Sequence, residues 1–126
     1  MEAFLDLKNV FKHFPIPVGG IIFRRYNMLK AVDDVSFSLN RGTCFGIAGE
    51  SGSGKTTIAR LILLLEKVTS GSILFEGKEL QQLSQNDIMW YRSRVQTIFQ
   101  DAASSLNPRM RISDIVSEPL EVQRSE

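Results

Sequence analysis

The sequence contains one cysteine, one histidine and one tryptophan in 126 residues. Cys44 alone excludes an internal disulfide, so the fold must stand on packing. His13, the only histidine, adjoins a loop and reads as a surface residue rather than a ligand. Charge of one sign is also missing: 15 lysines and arginines face 14 acidic residues, leaving a net +1. No nucleic-acid or polyanion signal rises above background, and charge selects no partner. Long hydrophobic runs are absent too. The longest aliphatic stretch, "LILLL" at 61–65, falls far short of the ~20 residues that cross a bilayer, so a membrane role must come through a partner. The opening "MEAFLDLKNV" has neither a basic n-region nor an apolar h-region, and the expectation is a cytoplasmic chain. There is no internal repeat and no low-complexity segment.

A hydrophobic content of 43% is enough for a core, in one domain or part of a larger one. Residues Phe4 to Phe11 read as a strand, and so do Val35 to Leu39, where Val35, Phe37 and Leu39 alternate with Ser36 and Ser38. Between them "PIPVGGIIFRRYNMLK", residues 15–30, is expected to be an exposed loop insertion, broken by Pro15, Pro17 and Gly19-Gly20 and solvated by Arg24, Arg25 and Lys30. "CFGIAG" at 44–49 lacks polar alternation and predicts a central strand buried on both faces, with Cys44 as packing. Ile58, Leu61, Ile62 and Leu65 then recur at helical spacing, widened by Leu63 and Leu64 and closed by Glu66-Lys67, which predicts a mostly buried helix.

Further on, "GSILFEGKEL" predicts a hairpin turning at Gly77, and Ser84 with Asp87 opens a short helix through Trp90 and Tyr91. Those two aromatics read as core anchors, and Arg92 with Arg94 as a solvated face. "VQTIFQ" at 95–100 predicts another strand and "SSLNPRM" a turn. Ser113 is placed to cap a helix carrying Ile115 and Val116 until Pro119 disturbs it.

Residues 49–57 read "GESGSGKTT", which satisfies the phosphate-loop pattern G-x-x-x-x-G-K-[ST]. A polyphosphate is held by backbone N–H groups that converge in a tight turn, where side chains obstruct; hence Gly49, Gly52 and Gly54. The following helix adds the partial positive charge of its N-terminus. Lys55 is placed to reach the β- and γ-phosphates, Thr56 to ligate Mg²⁺, and Thr57 to touch the α-phosphate. A glycine-rich turn with an accidental lysine satisfies the pattern in about one chain in a few hundred of this size. The expected strand before and helix after make accident a weaker explanation still.

Together with "AVDDVSFSLNRGTCFGIA" before it and "RVQTIFQDAASSLNP" after it, the loop resembles the ATP-binding subunits of ABC transporters. Within them "FQD…SLNPRM" is similar to the branch that imports dipeptides, oligopeptides and nickel. The resemblance runs from about Leu5 to Leu120. It implies an α/β fold: the start of a P-loop NTPase, RecA-like core plus the antiparallel β subdomain of an ABC ATPase. It further implies that residues 1–126 are the N-terminal portion of one ATP-binding domain, with 49–57 as Walker A, 100–110 as the Q-loop region and the helical subdomain incomplete.

The same resemblance implies the site. Gly49, Ser51, Gly52, Ser53, Gly54, Lys55, Thr56 and Thr57 would bind ATP, and Phe14 would stack on adenine, with Phe11 as the competing ring. Gln100 would reach toward Mg²⁺ and the attacking water, so that Lys55 and Gln100 are the catalytic candidates and Thr56 and Gln100 the metal candidates. Taken alone, Gln100 is an exposed amide at a strand end. Partners would be transmembrane permease subunits, a second ATP-binding subunit stacked head to tail and, indirectly, a substrate-binding protein, on the inner face of the cell membrane; no nucleic acid is implied. The sequence contains no "LSGGQ"-like signature, no Walker B carboxylate and no switch histidine, so these residues alone are expected not to hydrolyse ATP. The rival readings are a nucleotide-binding fragment without catalysis and an ABC ATPase of DNA repair or chromosome maintenance. The last is disfavoured by the balanced charge and by "FQDAASSLNPRM".

Overall fold

A computed structural model describes residues 3–19, 25–101 and 106–124. The chain forms two compact units, Met1–Ile88 and Met89–Glu126.

The first unit is built on β1 (Leu5–Val18), β2 (Arg25–Leu39), β3 (Ser70–Phe75) and β4 (Lys78–Glu79), an antiparallel sheet in the order β2-β1-β3-β4. Its core follows from the strand period of two. Leu5 and Leu7 of β1 stand opposite Phe75 and Ile73 of β3, and all four are buried. The expected hairpin at Gly77 is present: Phe75 faces Lys78, and Glu76 and Gly77 both have positive φ, 49° and 76°. Two left-handed residues twist the turn in the sense that the flanking strands need.

The expected loop at 15–30 is instead strand as far as Val18 and again from Arg25; residues 20–24 lie outside the described ones. Pro15 and Pro17 pair with Met28 and Tyr26. Beyond Phe11, β1 has no ladder partner on its β3 side among the described residues, and past His13, whose N–H donates to Thr69 Oγ1 at 2.9 Å, that edge is open. Two prolines spaced by two place both missing N–H groups on one edge, and an open edge tolerates that. Proline here marks an edge rather than a break.

Helix α1 (Lys55–Ile62) is shorter and wetter than its apolar stripe predicts. Ile58 and Leu61 are buried, but Leu65 is exposed. The helix ends because Leu64 adopts a left-handed φ of 56°, its N–H donating to Leu61 O at 3.2 Å while Leu65 N–H donates to Arg60 O at 2.9 Å. That pair of bonds is a Schellman motif, with leucine where glycine is usual.

"CFGIAG" at 44–49 is not a strand: the segment has no ladder partner among the described residues and is exposed throughout, Cys44 included. Phe45, half-exposed, stacks on Phe37, centroids 4.9 Å apart. Residues 95–99 of the expected strand at 95–100 are likewise irregular, Gln100 forms a bend, and Ile98 is 94% exposed. A two-sided buried strand exists only when neighbours pair with both its edges and cover both its faces.

Helix α2 (Gln85–Arg94) begins as its sequence predicts. Ser84 Oγ accepts from Asp87 N–H at 3.2 Å and donates to Asp87 Oδ2 at 2.6 Å. That hydroxyl, and then Lys78 Nζ at 3.0 Å, hold the Asp87 carboxyl below its ordinary range. In the second unit Tyr91 is buried, which pushes its phenol far up, and Trp90 is half-buried under the Arg94 guanidinium, 4.8 Å from the ring. Arg92 and Arg94 are exposed, as expected. Helix α3 (Ile112–Arg124) starts before Ser113, which lies in its first turn, and continues through Pro119. Proline removes the bond to the Ile115 carbonyl, while Ser117 Oγ, donating to Glu121 Oε1 at 3.2 Å, braces the helix across that point.

Candidate functional site

Residues 49–57 form a loop closed by its own lysine. Ser53 N–H donates to Glu50 O at 3.2 Å, a tight turn. Lys55 Nζ, at the first position of α1, donates to Gly49 O at 2.7 Å, Glu50 O at 2.5 Å and Ser53 Oγ at 3.1 Å. All three ammonium hydrogens thus tie the start of the loop to the start of the helix. The first i to i−4 bond of α1 is Ile58 N–H to Gly54 O at 2.9 Å. The N–H groups of Lys55, Thr56 and Thr57 lie before that bond, where a helix provides no carbonyl and carries its partial positive charge.

These groups open onto a cleft of about 250 Å³ lined by Phe14 of β1, Leu29, Lys30 and Ala31 of β2, and residues 52–57. Among the described residues, two lysines and no carboxylate line it. Among the described acidic residues no cluster of three or more His, Cys, Asp or Glu is placed to hold a metal. The Thr56 side chain, on an exposed residue, offers one hard oxygen, of the kind Mg²⁺ accepts beside phosphate oxygens. The donor set therefore fits Mg²⁺ delivered with a polyphosphate rather than a resident ion.

The structure brings Phe14 together with Gly52, Ser53, Gly54, Lys55, Thr56 and Thr57. Gly49 acts through its carbonyl on Lys55, and Ser51 is an exposed member of the same loop. Phe11 does not border the cleft; it pairs with Ser70 and its ring meets His13 edge-on at 6.0 Å. Gln100 is exposed and belongs to the second unit. His13 is half-buried rather than on the surface, with Nε2 lacking a hydrogen bond and 3.7 Å from Asp33 Oδ1.

Sequence reasoning missed Leu29 and Lys30, which it placed at the end of a loop, and Ala31, the residue that follows that loop. Phe14 and Leu29 are direct cross-strand partners, a register that nothing in the linear sequence displays. No helix of the described residues is long and apolar enough to cross a membrane.

The chain is similar to known proteins in sequence and in fold. The chain is 44% identical over 119 residues to the oligopeptide transport ATP-binding protein AppF of Bacillus subtilis, covering 94% of this chain and 36% of that protein. It is 52% identical over 94 residues to the dipeptide transport ATP-binding protein DppF of Lactococcus lactis, covering 73% of this chain and 30% of that protein. A dimeric ATP-binding cassette solved in a post-hydrolysis state with ADP and Pi superposes with a TM-score of 0.72 at 26% identity, over 94% of this chain and 47% of that one. The chain thus spans about a third of the length of these curated relatives. Residues 32–125, most of the sequence, match the ABC transporter family, and the chain belongs to that family.

Proposed function

We propose that residues 1–126 are the N-terminal portion of the ATP-binding domain of a peptide importer, and that they bind Mg-ATP in the cleft between Phe14 and the loop at 49–57. One observation carries this reading: an aromatic ring from β1 and the phosphate loop line the same cleft, which carries lysines and no carboxylate. The ring offers a flat apolar surface to adenine, and the loop offers N–H groups and an ammonium to the phosphates. Lys55 exchanges contacts within the loop for the β- and γ-phosphates. Thr56 Oγ1 would hold Mg²⁺, which when bound neutralises phosphate charge. Gln100 is assigned to the Q-loop, 100–110, orienting Mg²⁺ and the attacking water.

Relatives named for oligopeptide and dipeptide transport make peptides the favoured cargo, with nickel the alternative. The permease and the substrate-binding protein would choose it. In this reading the ATPase docks on permease subunits at the inner face of the membrane and stacks head to tail with a second ATP-binding subunit. Hydrolysis needs, in addition, a carboxylate that polarises water and a signature loop from the opposite subunit. The 126-residue chain by itself is therefore expected to release no phosphate above background in a turnover assay. Release that Lys55→Ala abolishes would overturn this division of labour.

The base half of the cleft is tested by calorimetry with Mg-ATP. Phe14→Ala is expected to weaken binding by the stacking contribution of about 0.5–1.5 kcal/mol together with the lost burial. Phe14→Tyr should largely retain affinity, and Phe11→Ala should leave it unchanged. Loss with Phe11→Ala and none with Phe14→Ala would show that the wrong ring has been assigned.

A further inference from the structure

Lys12 is a charged side chain in an unusual place. It lies two residues before Phe14 on β1, hence on the same face of the strand, and its side chain is only 13% exposed. Its ammonium donates to Lys67 O at 2.9 Å, pairs with Glu66 Oε2 at 2.9 Å and stands 4.6 Å from the centroid of the Phe14 ring. Phe14 lines the nucleotide cleft and Lys12 does not. An ammonium largely shielded from water and fixed by a carbonyl and a carboxylate has little freedom, so it acts on the ring as a fixed charge.

We propose that Lys12 is a positioning residue for the nucleotide base, acting through Phe14. Two effects follow from the geometry. The cation–π contact holds the ring in one orientation beside the phosphate loop, which removes the cost of ordering it when a ligand arrives. The charge also draws π density toward itself, leaving the ring a weaker electron donor on its remaining surface. A flat, electron-rich purine stacks better on such a surface, because repulsion between two negative π faces is what penalises stacking. Glu66 and the Lys67 carbonyl, just past the end of α1, thereby couple the helix that carries the phosphate loop to the ring that meets the base.

The inference rests on the proposed base-binding role of Phe14, and the experiment separates the two. In the full-length protein, Mg-ATP and Mg-tripolyphosphate affinities are measured for Lys12→Gln, Lys12→Arg, Phe14→Ala and Lys12→Gln with Phe14→Ala. Glutamine keeps a donor for Lys67 O but removes the charge; arginine keeps the charge. Lys12→Gln is expected to weaken ATP binding about three- to tenfold and leave tripolyphosphate binding unchanged. Lys12→Arg should restore most of the loss. The double variant should be no worse than Phe14→Ala alone, because without the ring Lys12 has nothing to position. If Phe14→Ala weakens ATP binding while Lys12→Gln does not, the inference fails and the base reading stands. Equal losses for ATP and tripolyphosphate would mean that Lys12 serves only the fold. A silent Phe14→Ala would overturn both readings.

Discussion

Lys55→Ala is expected to lower Mg-ATP affinity roughly ten- to hundredfold, the factor that corresponds to one charged hydrogen bond worth ~1.5–3 kcal/mol. That figure is the phosphate contact alone. The phosphates lose an ammonium in a cleft where, among the described residues, the other lysine, Lys30, is held 3.2 Å from the Asp33 carboxylate. The bonds by which Lys55 joins Gly49 O, Glu50 O and Ser53 Oγ are exchanged for the phosphates on binding, so their loss loosens the free loop without adding to that figure. Lys55→Arg tells charge from shape. A compact ammonium reaches two carbonyls and a hydroxyl within one turn of chain, whereas a planar guanidinium carries its donors in a rigid fork that does not converge on such a point. Arginine should therefore recover little of the affinity. Calorimetry of both variants beside the unmodified protein is the measurement, and an alanine variant that binds Mg-ATP normally would remove Lys55 from the site.

What the sequence makes legible is set by how local each interaction is. The phosphate loop, the turn at Glu76-Gly77 and the Ser84 cap involve groups within a few residues of one another, and all three stand where their patterns place them. Pairing across the sheet is not local. The extension of β1 through Pro15 and Pro17 depends on which edge lacks a neighbour, and the pairing of Phe14 with Leu29 depends on a register shift near Lys12. Composition at 15–30 points to a loop because the usual sense of proline is to break structure, and only the open edge reverses it. The segments at 44–49 and 95–100 have the apolar content of core strands, but a strand is a relation between chains of atoms rather than a property of one. Without ladder partners among the described residues they remain irregular. Gln100 stands at a bend rather than at a strand end, and its proposed role rests on the likeness of "VQTIFQDAASSLNP" to the Q-loop of the family, not on the strand.

Gly54→Ala is expected to damage both the fold and the site, and to do so far more than alanine at Gly52. Gly54 caps α1 with φ of 94°, and Gly52 has φ of 81°. Either substitution forces an L-residue into a region it rarely adopts, at a cost of ~1–3 kcal/mol. At Gly52 that is the whole cost, because an added Cβ meets nothing within 4 Å. At Gly54 the Cβ lands 2.3 Å from the Ala31 carbonyl oxygen, and both partners are backbone. The loop and β2 must part by roughly 1.1 Å or more to restore an ordinary contact. Ala31 and Leu29 belong to the same strand and line the same cleft. Parting them from the loop moves the Phe14–Leu29 pair away from the phosphate-binding N–H groups, so base and phosphates can no longer be held together and Mg-ATP affinity falls. Gly49→Ala should fall between the two. Its Cβ would lie 2.7 Å from Ser53 Oγ, a side chain that turns away but gives up its bond to Lys55 as it does so. Thermal midpoints and Mg-ATP affinities of the three variants should therefore rank Gly52→Ala mildest, Gly49→Ala next and Gly54→Ala most severe. Equal effects at Gly52 and Gly54 would show that backbone conformation, and not the approach of the loop to β2, is what the glycine at position 54 serves.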